Sequence, residues 1–303
     1  MLKDREWLDK LDFSQLMDLR VDYAFKLLFA TGETFLLISL LNAIFASAGI
    51  ARTVKSLAIL SPQLERQSEE DKLSILDVRA VLDDGSEVLI EMHLYDTEEL
   101  KYKTIHSWAR IYNGGVKKGE DYSKQAPVIC VSFMAKAVDA SEPNKIHKCC
   151  KIADIESREI FTDALELHYI NMKAFINAVN KANMSKLEKW LAVLTEKDIA
   201  DKAMIKGICG QEEDIAMAIA TLEKLSMDRY AREAYEKRQQ EIEQYFLLVD
   251  RKNKQIAEQA KALAKQEKAL AKQEKIIAEK DFAMLNMAKT IEEYKAKFGE
   301  IAQ

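Results

Sequence analysis

The chain has 303 residues, with 45 Lys and Arg against 50 Asp and Glu, a formal net charge of −5, 48% apolar and 31% charged residues. That length has room for roughly two domains. The composition fits a globular protein with one very polar helical part, and it lacks the bulk positive charge of a nucleic-acid binder while leaving room for a local basic surface.

Residues 19–48 read as two helices. In DYAFKLLF the apolar Tyr23, Phe25, Leu27, Leu28 and Phe29 wrap most of the circumference, and Gly32 breaks the run. The next apolar stretch, FLLISLLNAIFASAGI, stops short of the roughly 18 residues a membrane span needs and is expected to be a core helix. The opening MLKDREWLDKLDF lacks the layout of a signal peptide, so we expect no membrane partner and a cytoplasmic location. TVKSLAILS (53–61) predicts a strand, and two more strands follow at 73–82 and 87–95, joined by DDG. Helical spacing returns over 97–118, where Leu100, Ile105, Trp108, Ile111 and Tyr112 fall near one side. APVICVSFM (126–134) has the continuous apolar character of a strand buried on both faces. Shorter strands are expected at 146–153 and 163–170, and helices from 181 to the end. The order describes an α/β chain: a mixed central sheet flanked by helices over 1–180, a helical region over 181–230 and a long helix over 231–303.

The tail has a seven-residue rhythm. Tyr235, Ile242, Val249, Ile256, Leu263, Leu270, Ile277, Met284, Ile291 and Phe298 lie seven apart, which predicts a left-handed coiled coil and association of identical chains. Its companion seam is poor, since Lys252, Gln259, Gln266, Gln273 and Lys280 follow three residues on. A solvated helix held by charge pairs is the competing reading.

The four cysteines suggest no disulfide framework. Cys149 and Cys150 near His147 hint at zinc, but adjacent cysteines do not easily reach one ion and no second pair follows. His106, His147 and His168 receive no role.

The hairpin at 73–95 carries the chemistry. A three-residue DDG loop closed by a left-handed Gly85 pairs Leu82 with Ser86, which sets Asp77 opposite Glu91 and Ile75 opposite His93. Leu76, Val78, Ala80 and Leu82 then share the core face with Val88, Ile90, Met92 and Leu94, and the other face carries Asp77, Arg79, Glu91 and His93. Two carboxylates directly opposite repel each other unless a cation sits between them. A hard dication such as Mg²⁺ resolves the conflict, and His93 is placed to orient an attacking water. The alternative is a water-facing hairpin whose acids Arg79 neutralises.

The element order, the acid on the second strand and Glu-x-(Lys or Gln) on the third resemble the PD-(D/E)XK nuclease superfamily. The chain resembles more closely its Rpn family of recombination-promoting nucleases, also described as transposases. The matching stretches are DYAFKLLF (Asp22, Phe25, Lys26, Phe29), LLNAI (Leu41, Asn42), LDVRA (Asp77), IEMH (Glu91), ARIYNGGVKKGEDY (Arg110, Tyr112, Gly119, Tyr122), APVICVSF (Pro127) and LSMDRYAREAYEKR, covering residues 18 to about 250. The resemblance implies a restriction-endonuclease-like core followed by an all-helical C-terminal region, and a metal-dependent endonuclease acting on DNA. Asp77 and Glu91 would hold Mg²⁺ or Mn²⁺, and His93 would position water where the family usually has Gln and the superfamily Lys. Asp22 matches the family's leading acid and would touch the metal through water, with helix capping as its other reading. Lys26 and Arg110 would contact phosphate. The His93 departure leaves a second reading, a DNA-binding or coiled-coil assembly module without turnover.

Overall fold

The computed structural model describes residues 6–60, 77–93, 99–116, 119, 121–135, 137, 139, 141–178 and 183–299. They divide into two units, Met1–Glu241 and Ile242–Gln303. In the first, helices α1 (Glu6–Lys10), α2 (Asp22–Ala30) and α3 (Thr34–Ser47) precede strands β1 (Leu57–Ile59), β2 (Val78–Leu82) and β3 (Glu87–His93). Helix α4 (Leu100–Gly114) leads to β4 (Val128–Met134), β5 (His147–Ala153) and β6 (Ile160–Asn171). Helices α5 (Met172–Ala178), α6 (Lys186–Leu194), α7 (Glu196–Ile199), α8 (Lys202–Gln211), α9 (Glu213–Met227) and α10 (Arg229–Phe298) complete the chain.

The strands form one six-stranded mixed sheet in the order β1-β2-β3-β4-β6-β5. The pairs β1/β2, β2/β3 and β5/β6 are antiparallel, while β3/β4 and β4/β6 are parallel. A parallel neighbour demands a crossover, and α4 supplies it between β3 and β4. All seven residues of β4, VICVSFM, are buried, as expected of a strand covered on both faces. β6 starts at Ile160, earlier than the sequence suggests, because it pairs with β5 as far as Ala153↔Ile160 before reaching β4 at Leu165.

The β2–β3 turn has the expected geometry. Leu82 N donates to Ser86 O at 2.9 Å, Gly85 N donates to Leu82 O at 3.0 Å, and Gly85 has φ +85°. The register follows, with Val78↔Ile90 and Ala80↔Val88 paired. Val78, Ala80, Leu82, Val88, Ile90 and Met92 are all buried and form the face toward α2, which packs on β2 and β3. The expected partners Leu76, Ile75 and Leu94 lie outside the described residues. The opposite face is no open wet surface: Leu89 is buried with Val128, Cys130, Leu167 and Tyr169 beneath Leu100 and Ile111 of α4.

Helix α3 is a core helix. Leu36, Leu37, Leu40, Leu41, Ile44 and Phe45 have no exposed surface, and no single described helix is long and apolar enough to cross a membrane. At Gly32, between α2 and α3, a Cβ would stand 2.5 Å from the Leu28 carbonyl oxygen, so only glycine lets the chain turn there. Asn42 holds the approach to β1, its side chain donating to Val54 O at 3.0 Å and accepting from Val54 N at 2.8 Å.

Helix α10 begins within the first unit, where Ala231 and Tyr235 are buried and the Tyr235 hydroxyl accepts from Asp18 N at 3.1 Å. In the second unit Ile256, Leu263, Leu270, Ile277, Met284 and Ile291 are each more than half exposed.

Candidate active site

Asp77 sits one residue ahead of β2, and the Val78↔Ile90 register places it level with Glu91. Burial, together with the negative field of Glu91, pushes the Asp77 carboxyl above its ordinary value, against a backbone hydrogen bond and the pull of Lys26 and Arg79. Arg79 does not bridge the two acids. Its guanidinium pairs with Glu87 at 3.0 Å.

Both oxygens of Glu91 are held. Oε2 lies 3.2 Å from His93 Nε2, two residues on along the same face, and Oε1 accepts from the Ser107 hydroxyl at 3.3 Å. Ser107 is on α4, in the stripe Leu100, Thr104, Ser107, Ile111 that faces the sheet at helical spacing. Thr104, also in that stripe, lies 3.2 Å from the Ser132 hydroxyl of β4. Sequence reasoning did not single out Ser107; a small polar residue inside an otherwise inward-facing stripe is the signal that marks it. His93 is buried, so its ring is fixed by Glu91 and by packing.

Helix α2 brings Asp22 and Lys26. The N-cap of α2 is Val21, with no side-chain cap bond. Asp22 is the first helical residue; both its carboxylate oxygens accept from Arg238 of α10, and Oδ1 also accepts from Tyr23 N. That pairing engages the acid expected to touch a metal, and Arg238, the last residue of the matching stretch LSMDRYAREAYEKR, had no role assigned to it. Lys26, one turn further on, is 4% exposed rather than a surface side chain. Burial lowers its pKa while Asp77 and Asp22 pull the other way. Phe25 and Phe29 are core residues, and Tyr112 stacks on Trp108 with centroids 4.9 Å apart. Arg110 is exposed, and α4 displays it with Lys101, Lys103 and His106, with no acidic residue between Leu100 and Gly114.

A metal at this place would have two carboxylates as its protein ligands. Among the described residues no group of three or more His, Cys, Asp or Glu gathers into a metal cage, so a structural zinc site does not fit. Mg²⁺ does, because it is usually bound by one or two carboxylates with water and phosphate oxygens completing the octahedron.

A mixed sheet with an acid-bearing hairpin, flanked by helices and followed by a long helix, is the α/β core of a PD-(D/E)XK nuclease-type hydrolase. The chain belongs to the PD-(D/E)XK nuclease family transposases, whose family model matches residues 19–254. No curated protein and no solved structure matches it.

Proposed function

We propose that this chain is a divalent-metal-dependent DNA endonuclease, acting in the cytoplasm and linked to recombination or mobile elements. The observation that carries the reading is Asp77 level with Glu91 on adjoining strands, its carboxyl raised by burial and by that neighbour. Asp77 and Glu91 would hold Mg²⁺ or Mn²⁺. Such an ion, when bound, polarises a phosphate oxygen and lowers the pKa of its water. Ser107 and His93 fix the two oxygens of Glu91, so the ligand does not have to reorganise as charge develops. His93, set by that contact, orients the attacking water in the position the family usually gives to Gln. The exposed Lys101, Lys103 and Arg110 of α4, the helix that carries Ser107, give DNA phosphates a basic track beside the acids despite the negative net charge.

The test is cleavage of supercoiled plasmid with Mg²⁺ or Mn²⁺. Wild type is expected to nick or linearise it, and Asp77→Ala and Glu91→Ala to lose that activity. A wild-type protein that leaves plasmid uncut with both metals, or a Glu91→Ala variant that cuts equally well, overturns the reading.

A second reading is favoured by the exposed row Ile256, Leu263, Leu270, Ile277, Met284 and Ile291. Its seven-residue spacing suits association of the tail with a second copy of this chain, which would make the protein an assembly module whether or not the core turns over.

A further inference from the structure

We infer that Ser47 is a nucleophilic serine, activated through His147, His168 and Glu166, and a site of covalent acylation by small activated esters. The site lies apart from Asp77 and Glu91 and does not rest on the nuclease reading.

Four side chains from three elements form one hydrogen-bonded row. Ser47, the last residue of α3, has its hydroxyl 3.1 Å from Nδ1 of His147 on β5. Nε2 of His147 lies 2.9 Å from Nδ1 of His168 on β6, and His168 Nε2 lies 2.8 Å from Glu166 Oε1. The row runs from solvent to core: Ser47 is exposed, His147 is half-buried, and His168 and Glu166 have no exposed surface. Strand alternation assembles it, because His147, Cys149 and Lys151 share one face of β5, and the pairs Cys149↔His168 and Lys151↔Glu166 set the two β6 residues on that same face. Helix α3 closes over it through Phe45, whose ring meets His168 edge-on with centroids 5.5 Å apart.

The bonds fix where the protons sit. An ionised carboxylate only accepts, so His168 Nε2 donates to Glu166. A neutral His168 then accepts at Nδ1, His147 donates to it from Nε2, and His147 Nδ1 is left to accept the Ser47 hydroxyl proton. Glu166 stays ionised because Arg52 Nη1 and Lys151 Nζ each stand 2.8 Å from it. Asp84 takes the Nε of Arg52 at 3.3 Å, so two acids offset two cations and neither histidine is needed as a counter-charge. Burial, with His168 beside it, holds His147 below its ordinary value and keeps its ring neutral. A hydroxyl bonded to a base that is itself oriented by a further group is the geometry of an activated nucleophile.

In the step, Ser47 Oγ attacks the carbonyl carbon of the ester. The Oγ–C bond forms, the bond from that carbon to the leaving oxygen breaks, and the leaving group departs with the electron pair as phenoxide. The hydroxyl proton passes to His147 Nδ1. The resulting imidazolium donates from Nε2 to His168, which donates to Glu166, so the new charge is stabilised toward a buried carboxylate. The N–H groups of Ala48, Gly49 and Ile50, which follow Ser47, all bond back to carbonyls of α3 and are not available to an oxyanion. The acceleration is therefore the share a general base supplies, about 100-fold.

The test treats the full chain, in EDTA, with p-nitrophenyl acetate and locates acetyl groups by peptide mass mapping. Ser14 and Ser141 serve as controls within the same chain, since both are exposed and their hydroxyls donate to Asp12 and Asp139 at 2.7 Å rather than to a histidine. Ser47 is expected to acetylate about 100-fold faster than either. Ser47→Ala should remove that fast phase of p-nitrophenol release without changing the melting temperature. His147→Gln, which keeps an acceptor and removes the base, should slow Ser47 to the rate of the controls. Acetylation of Ser47 no faster than Ser14 and Ser141 overturns the inference, and so does fast acetylation that survives His147→Gln, which assigns the reactivity to exposure alone. Should His147→Gln unfold, the comparison of the three serines in the wild-type chain decides by itself. With no metal present, the outcome is independent of whether the protein cuts plasmid.

Discussion

Arg238 donates from Nε and Nη2 to the two carboxylate oxygens of Asp22, at 2.9 and 2.5 Å, across 216 residues of sequence. The fork matches the carboxylate in a two-pronged pairing, and both residues are buried. It ties the first turns of α10 to the start of α2, the helix that also carries Lys26. Burial works against the Arg238 charge, but the bonds to Asp22 prevail and raise its pKa.

Breaking this pair from one side should be costly. Arg238→Met takes the paired guanidinium away from a buried carboxylate, and we expect a loss of about 3 kcal/mol. Pairing it with Asp22→Asn should recover much of that loss, because neither charge is then stranded. Urea unfolding of the two single variants and the double variant measures the coupling; additive losses would show that the contact carries no specific energy.

The hairpin turn offers a sharper local test. Gly85 has φ +85° and open space where a Cβ would stand, so Gly85→Ala meets backbone strain without a clash. It should cost about 1 kcal/mol, and Gly85→Asn less, since Asn tolerates the left-handed region. Because this turn counts out the register that sets Asp77 level with Glu91, a larger deficit in metal binding than in stability would point to a slipped register. Melting curves and Mn²⁺ titration of the same variants separate the two.

The same turn shows what was legible in the sequence. DDG, being three residues long, fixes Leu82 against Ser86, and simple counting then carries Asp77 to Glu91; local chemistry decides a local geometry. The β4 run VICVSFM was legible because a strand buried on both faces has no polar period. Asp22 was not. Its neighbours suggested a cap or a metal contact, while its partner arrives from α10, and no spacing rule links residues 216 apart. The burial of Lys26, read from the resemblance as a phosphate contact, was not legible for a related reason: how far a helical lysine is covered depends on which other elements close over it. Ser107 gave only a faint sign, one small hydroxyl in an inward stripe. The alternative of a water-facing hairpin falls because Leu89 on that face is buried beneath Leu100 and Ile111 of α4, and that covering is set by the parallel crossover rather than by either strand.

A second ionic cluster, on β5 and β6, sets the acid response of the fold. Glu166 has no exposed surface and meets Arg52 Nη1, Lys151 Nζ and His168 Nε2, each at 2.8 Å. Burial would raise its pKa, but His168, Lys151 and Arg52 together bring it down to about 2. His147 lies between Ser47 and His168, at 3.1 and 2.9 Å, and burial with the nearby His168 lowers it from 6.5 to about 4. The signs agree. A depressed histidine stabilises the fold fully above 6.5 and loses that contribution as pH falls toward 4, because the unfolded chain takes up the proton first. A depressed glutamate contributes fully above 4.5 and loses it as pH falls toward 2. Stability should therefore decline in two stages on acidification. His147→Gln should flatten the upper stage, worth roughly 2 kcal/mol after allowance for partial exposure, and leave the lower one. Denaturant midpoints at half-unit pH steps test this, and an unaltered upper stage in the variant would rule out His147 as its origin.

The tail permits a test that leaves the nuclease core untouched. Leu263 and Leu270 are 59% and 58% exposed on a continuous helix, flanked by Gln266 and Glu267 one turn on and by Ala262 and Ala264 at the sides. A lone exposed leucine is ordinary, but apolar residues kept at seven-residue spacing from Ile256 to Ile291 present a continuous seam to a partner helix. The polar residues beside that seam make any pairing weak, so self-association should depend on protein concentration and weaken only modestly with salt. Replacing Leu263 and Leu270 together by Lys puts two like charges of each copy face to face, and should convert the assembly to monomer while leaving the melting of the Met1–Glu241 unit unchanged. Light scattering across a dilution series reads the mass directly. Should the wild-type chain be monomeric at every concentration, the exposed row would belong to a solvated helix held by its own charge pairs, such as Lys254 to Asp250 at 2.7 Å, and the seam would have no partner of its own kind.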